Sequence, residues 1–241
     1  MRISFNGTLA PYTYNCPYAH KLRNICKIYP SAKDEEEKPE SDELSKRQLG
    51  IQNHELCNKY IVGDIEEIDF ATDYIEWAKN PKIDEIVTCE QEEFYELDMS
   101  FIGNSFTEDL KKRDHIYCRK DVVISSPYST TVLDWKFGNS EYGITKYYDE
   151  VEFFIALEAA KNPDIGEWNA IVHFPVEDYT LPKKTYGPTT ISRLQLRYTK
   201  RIERILNDRF YRPNPGRVRC RFCDYRSEEA GGTGDCEYSF L

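Results

Sequence analysis

The run Thr130-Thr131-Val132-Leu133-Asp134-Trp135-Lys136-Phe137-Gly138 decides how the rest of the chain is read. Thr131, Val132 and Leu133 have the β-branched and apolar character of a short buried strand, which ends in Asp134, Trp135 and Lys136 before the Gly138-Asn139 turn signal. Alternate side chains of a strand share a face, so Asp134 and Lys136 project together and Trp135 projects the other way. Upstream, Asp121 opens a second run, Asp121-Val122-Val123-Ile124, and the intervening Ser125-Ser126-Pro127-Tyr128-Ser129 reads as a turn. In a hairpin of these two runs Asp121 and Asp134 meet across adjacent strands. Two carboxylates and a lysine suit a divalent cation and an anionic substrate such as phosphate.

The chain has 241 residues, 40% of them hydrophobic, enough for a sizeable core. No window approaches the roughly eighteen apolar residues of a membrane span, and the first residues do not read as a secretion signal. A cytoplasmic location is expected, in a host cell if the source is viral. In a reducing compartment the eight cysteines are thiols or metal ligands rather than a disulfide framework. A net charge of -10 argues against a protein that merely coats nucleic acid. The charge is uneven, however: Asp34 to Glu43 and Glu66 to Glu96 are acidic, whereas Arg193 to Arg221 is densely basic. One positive surface on an acidic body is what a phosphate backbone seeks.

Along the chain, Pro17 occupies the first turn of a helix through Leu22, Ile25 and Cys26, with Cys16 at its start. Residues 30–45 read as a charged surface loop. Two helices follow, the first carrying His54 and the second running through Ile65, Phe70, Tyr74 and Trp77. Ile83 to Leu97 reads as a strand or bent strand pair, and Ser100 to Lys112 as a poorly patterned connection. Beyond the hairpin, Tyr147 to Lys161 is a helix stopped by Asn162-Pro163, Trp168 to Pro175 is a central strand, and Thr189 to Phe210 is a long helix with a basic face. The order predicts one α/β domain around a mixed sheet flanked by helices, spanning 1–241. Its core is expected at 44–175, with extensions at 1–29 and 189–241.

Two acids on paired strands, the second in the form D-x-K, resemble the PD-(D/E)XK (restriction-endonuclease-like) nuclease superfamily, and Leu133-Asp134-Trp135-Lys136-Phe137-Gly138 resembles the D-x-K-T-G of its RecB-like branch. Further pieces fall in that branch's order. Gly50-Ile51-Gln52-Asn53-His54 is similar to its helical G-x-x-x-H, Cys16-Pro17 to its N-terminal C-P, and Cys220-Arg221-Phe222-Cys223 with Cys236 to its C-terminal cysteine cluster. The resemblance spans nearly the whole chain. It is greatest to the iron-sulphur group, which comprises the CRISPR-associated exonuclease, its phage-encoded relatives and the AddB nuclease domain.

The resemblance implies a metal-dependent DNA exonuclease acting on single-stranded ends in recombination, repair or CRISPR-type processing, with partners from those pathways. It implies Mg²⁺ or Mn²⁺ bound by His54, Asp121, Asp134 and the backbone carbonyl of Trp135, with Lys136 orienting and helping to deprotonate the attacking water. It also implies a 4Fe-4S cluster on Cys16, Cys220, Cys223 and Cys236 joining the termini; zinc is the alternative, since sulphur suits both metals. Cys26, Cys57, Cys89 and Cys118 match no motif and are expected in or near the core. The branch's Q-x-x-x-Y is replaced by Glu150 and Phe154, and the gap from Cys223 to Cys236 is longer than usual for it. Glu90 stands where the branch often has an acid, and reads equally as a solvated strand charge. On the basic helix, Arg197, Arg201 and Tyr198 are candidates for guiding and stacking a single strand, with Phe210 and Tyr211 further stacking candidates. Two other readings remain: a catalytically silent nucleic-acid-binding or assembly module, and an iron-sulphur sensor.

Overall fold

The computed structural model describes residues 1–14, 16–26, 46–138, 140, 144–214, 220, 223, 225, 234–236 and 238. The elements in order are β1 (Arg2–Ile3), a π-helical turn (Phe5–Leu9), α1 (Ala10–Tyr14), α2 (Pro17–Asn24), α3 (Lys46–Val62), α4 (Asp73–Lys79), β2 (Ile86–Cys89) and β3 (Glu92–Tyr95). There follow β4 (Phe101–Gly103), α5 (Glu108–Lys112), β5 (His115–Arg119), β6 (Val122–Ser125), β7 (Ser129–Trp135) and α6 (Ile144–Lys161). The last are β8 (Glu167–Phe174), a 3₁₀ turn (Pro175–Glu177), β9 (Tyr179–Thr180), β10 (Lys184–Tyr186) and α7 (Pro188–Asn207). The chain forms two compact units, Met1–Ile3 with Leu44–Lys200, and Ser4–Glu43 with Arg201–Leu241.

The first unit is α/β and holds two sheets. The larger runs β10-β8-β7-β6-β2, with β9 paired to β8. Its pairings are antiparallel except between β7 and β8, which run parallel. Parallel neighbours need a long crossover, and α6 supplies it, packing on both strands. Central β7 is buried along nearly its whole length, which is why Thr131-Val132-Leu133 carries little polar alternation. The β6–β7 hairpin closes where Ser126 Oγ accepts the Ser129 N–H at 3.0 Å and the Ser126 N–H donates to the Ser129 carbonyl at 2.8 Å.

Trp135 packs into an apolar cluster with Cys57, Tyr60 and Ile61 of α3, Ile75 of α4, and Val122, Ile124 and Leu133 of the hairpin. Truncating Leu133 to Ala in such a cluster typically costs about 2–5 kcal/mol. With Trp135 committed to this side, strand alternation turns Asp134 and Lys136 towards α6.

The second sheet, β1-β5-β3-β4, departs from the single sheet expected. The segment read as one bent strand pair divides: β2 pairs with β6 in the larger sheet, and β3 pairs with β4 and β5 in the smaller. The chain changes sheets at Glu90, whose φ of 50° is left-handed. Neither β4 nor α5 was legible in Ser100 to Lys112, because both are too short to show a period.

A fully buried lysine ties the two sheets to α6. Lys120, between β5 and β6, forms ion pairs with Glu93 of β3 and Glu158 of α6, and Lys161 reaches Glu93 at 2.6 Å. Burial, the largest single influence, would raise the Glu93 carboxyl, but the Lys120 charge together with hydrogen bonds from Lys120, Lys161 and Tyr95 outweighs it and lowers the group to about 2. The paired network fixes the corner at which β5 hands the chain to Asp121.

Candidate active site

Val122 pairs with Leu133 in the hairpin, so the next position outward sets Asp121 opposite Asp134. Asp121 Oδ2 accepts the Trp135 N–H at 2.6 Å, a cross-strand bond that orients the carboxylate. Lys136 lies one residue beyond β7, and its N–H donates to the His173 carbonyl at 2.8 Å, extending the β7–β8 ladder and setting the lysine's direction. Its ammonium donates to Glu150 Oε2 of α6 at 3.0 Å. It also lies 2.7 Å from Asp134 Oδ2. Asp134 Oδ2 is buried, and the Lys136 ammonium is its charged neighbour.

His54 enters from α3. Its Nδ1 is 3.5 Å from Asp121 Oδ1 and 3.9 Å from Glu90 Oε1. His54, Glu90 and Asp121 offer donor atoms all within 4.8 Å of one another, the trio of this kind among the described residues. Phe137 meets the imidazole edge-on at 4.9 Å between centroids. A Cβ at Gly50 would touch Phe137 Cβ at 4.0 Å, an ordinary contact, so packing does not demand glycine at the start of the G-x-x-x-H. Glu90 is held by its backbone, its N–H shared between the Lys120 and Asp121 carbonyls at 3.0 Å each, and its Oε2 pairs with Arg119 at 2.8 Å.

Electrostatics set this cluster apart. Burial, with the charges of Glu90 and Glu150, pushes Asp121 from 3.8 up to about 7, against the pull of Lys136 and the Trp135 N–H. Asp134 is raised well above its ordinary value, chiefly by burial, although Lys136 opposes this. Burial and the Lys136 charge depress His54 to about 4, so the imidazole is neutral near pH 7 and offers a lone pair. Burial disfavours the Lys136 ammonium, but Asp134, Glu150 and Asp121 outweigh it and hold the group above its usual range. A lysine so held donates hydrogen bonds and does not take a proton at neutral pH. With all carboxylates ionised, four acids face two cations, Lys136 and Arg119, an imbalance that one divalent cation cancels. The donor set of carboxylate oxygens and a neutral imidazole nitrogen fits Mg²⁺ or Mn²⁺.

A scan against protein-family models finds no match, and a search of curated proteins finds no similar sequence. Among solved structures the chain is similar to the crystal structure of SSO0001, with a TM-score of 0.43 and 12% identity over 100% of this chain and 88% of that one. It is also similar to a "Putative exonuclease" from Eubacterium rectale, with a TM-score of 0.46 and 10% identity over 92% of this chain and 86% of that one. Both likenesses are weak, and the site stands on its own atoms.

Asp121, Asp134, Lys136 and His54 are thus brought together, and Glu90 and Glu150 join them. A solvated strand charge was an equal reading of Glu90 because no strand pattern reveals a change of sheet. In the sequence Glu150 marks only a departure from Q-x-x-x-Y, because its partner Lys136 lies on a different element.

The other candidates lie elsewhere. Tyr198 is fully buried, its hydroxyl donating to the Asp149 carbonyl at 2.6 Å and its ring edge-on to Phe153 at 5.2 Å. It is a core residue and presents no face for stacking, a correction forced by its place on the apolar stripe of α7. Arg197 is engaged by Glu152 at 2.7 Å. Arg201, in the second unit, donates to Thr13 Oγ1 at 2.9 Å. Tyr211 is buried as well, whereas Phe210 is exposed.

Cys16, Cys220, Cys223 and Cys236 all belong to the second unit and are half-buried. The Cys223 N–H donates to the Cys220 carbonyl at 3.1 Å, Cys236 to the Tyr225 carbonyl at 2.9 Å, and Asn214 to Cys16 Sγ at 3.3 Å. No trio of their sulphurs stands among the donor sets found in the described residues. Cys57 and Cys118 are buried and Cys89 half-buried, but Cys26 is exposed rather than near a core.

Proposed function

We propose that the protein is a metal-dependent nuclease of the PD-(D/E)XK kind, RecB-like branch, hydrolysing phosphodiester bonds at single-stranded DNA ends as an exonuclease. The observation that carries the reading is the pairing of Asp121 with Asp134 beside the neutral imidazole of His54 and the doubly held ammonium of Lys136. His54, Glu90, Asp121, Asp134 and the Trp135 carbonyl are the groups to hold Mg²⁺ or Mn²⁺, which would polarise the phosphoryl group and offset the charge that develops on it. Lys136 orients the attacking water and donates to a phosphoryl oxygen. Because it remains charged, the water's proton goes to a carboxylate, and Glu150, already beside the ammonium, is placed to receive it. The water oxygen bonds to phosphorus as the ester oxygen departs in line.

The cysteine set is read as holding a 4Fe-4S cluster, with zinc as the alternative, in a structural role joining the two chain segments of the second unit. Processing of DNA ends in recombination, repair or CRISPR-type pathways is the proposed setting. The test is digestion of linear and circular single-stranded DNA by anaerobically purified protein with Mn²⁺ or Mg²⁺, beside Asp134→Ala and Lys136→Ala. Loss of the linear substrate alone, abolished by either substitution, is the expected result. Bound but uncut DNA would instead favour the silent binding module.

A further inference from the structure

The face of the larger sheet that carries Lys136 continues away from the acidic site as a row of rings. β7 and β8 pair Asp134 with Val172 and Trp135 with His173, so one step further sets Lys136 level with Phe174. β8 and β9 pair Phe174 with Tyr179. Residues directly opposite one another share a face, so the row Lys136, Phe174, Tyr179 crosses three strands, about 10 Å from first to last at the usual strand spacing. Tyr147 comes down on it from α6, one turn before Glu150 and on the same side of the helix. The Lys136 ammonium lies over the Tyr147 ring, 5.4 Å from its centroid. The same ring meets Phe174 edge-on at 5.8 Å, and Phe174 is 6.1 Å from Tyr179.

The row divides by exposure. Phe174 is fully buried and belongs to the core, whereas Tyr147 is half-buried and Tyr179 is 44% exposed. Val176, on the turn between β8 and β9, is 64% exposed. Asp178 closes that turn in the left-handed region, which folds β9 back along β8 and brings Tyr179 beside Phe174. Neighbouring Tyr148 is committed to the fold instead: the Lys184 ammonium covers its ring at 3.8 Å, and its hydroxyl donates to the Pro182 carbonyl at 2.6 Å.

Accessible rings in line with the ammonium that meets the phosphoryl group call for flat apolar surfaces joined to a phosphate. Unpaired nucleobases supply both; a duplex keeps its base faces stacked on one another, and a peptide brings no phosphate to Lys136. Charge along the row agrees. Lys146, next to Tyr147, is exposed and in no ion pair among the described residues, whereas Glu177 and Asp178 stand at the Tyr179 end and repel phosphate. The backbone of a strand therefore belongs near Lys136 and Lys146, and a base belongs on Tyr179. We propose that single-stranded DNA approaches the acidic site across this row, stacking bases on Tyr147 and Tyr179 as its phosphate meets Lys136. The inference rests on the nuclease reading for the identity of the substrate, and it supplies the path that the buried ring of Tyr198 does not.

The test is binding of a short fluorescent oligo(dT) to the intact protein in EDTA and low salt, beside a strand of equal length built from abasic sites. The abasic strand keeps every phosphate and loses every base. The protein is expected to bind oligo(dT) at least about tenfold more tightly than the abasic strand. Tyr179→Ala, at an exposed position, and Tyr147→Leu should each weaken oligo(dT) binding about tenfold and shrink the preference for bases; Tyr179→Trp should restore both. Equal affinity for the two strands overturns the proposal, as does no measurable binding of either. Unaltered discrimination by Tyr179→Ala also overturns it, even if Tyr147→Leu does not fold. If Tyr179→Ala instead dissociates a dimer seen by light scattering and leaves DNA affinity unchanged, the row is a contact between copies of the chain and the strand path falls. Cleavage by the Mn²⁺-loaded protein with unaltered Tyr179→Ala binding removes the path and keeps the nuclease reading. Base-dependent binding lost in Tyr179→Ala, with no cleavage in Mn²⁺, removes the nuclease reading and keeps the path.

Discussion

Lys136 is squeezed between Asp134 at 2.7 Å and Glu150 at 3.0 Å, and each carboxylate makes a different demand on it. Asp134 meets the ammonium from the strand beside it, whereas Glu150 accepts its hydrogen bond from α6 and holds it in place. Replacing Lys136 by Ala, or Asp134 by Asn, should lower the cleavage rate by about 10²–10³-fold, read from a labelled linear strand. Glu150→Gln keeps the shape but removes the proton acceptor, so it should lower the rate while leaving DNA affinity unchanged.

At the same scale, Asp121 makes the metal-free protein sensitive to pH in an unusual direction. Its folded-state value of about 7 exceeds the ordinary 3.8, so the folded chain binds this proton more firmly than the unfolded one. The stabilisation is complete below about 3.8 and is lost as the pH rises towards 7. His54, lowered to about 4, works oppositely, costing stability as the pH falls from 6.5. In EDTA, Asp121→Asn should flatten the fall in melting temperature between pH 5 and 8, and an unchanged slope would sink the assignment. Because the proton must leave before a cation binds, Mn²⁺ affinity should drop by up to about tenfold per unit below pH 7.

At the scale of elements, the site depends on a corner that no catalytic group occupies. Lys120 is held by Glu93 of β3 and Glu158 of α6, and the Lys120 and Asp121 carbonyls both accept the Glu90 N–H. Lys120→Met would leave the buried Glu158 carboxylate without its cation and Glu93 with Lys161 alone, and should destabilise the protein by about 3–5 kcal/mol in urea unfolding. The hairpin β6–β7 and the helices α6 and α7 were legible in the sequence because each is long or patterned enough to show its period within itself. The smaller sheet was not, since β3, β4 and β5 have three to five residues each and are defined by partners far along the chain.

At the scale of the whole molecule, contacts divide the chain into two units, and the acidic site and the cysteine set fall in different ones. If the cysteines hold a metal cluster, Cys220→Ser should abolish its visible absorption and bound metal. It should also lower the melting temperature, because such clusters contribute folding free energy to the segments they join. Retention of both the colour and the stability would remove Cys220 from the ligand set.

Local rules were enough to set Asp121 opposite Asp134, to put Lys136 on the Asp134 face and Trp135 on the other, and to locate the long helices. Those outcomes follow from strand alternation, a turn and helical periodicity, all of which are local. Long-range packing brought Glu90 into the site at a change of sheet and set Glu150 against Lys136. It also decided that Tyr198, flanked by arginines on a basic helix, is interior, and that His115 ends with a buried nitrogen lacking a partner. The physical reason is the same in each case: burial and pairing are set by residues distant in sequence, and no periodicity within a short segment records which of them will arrive.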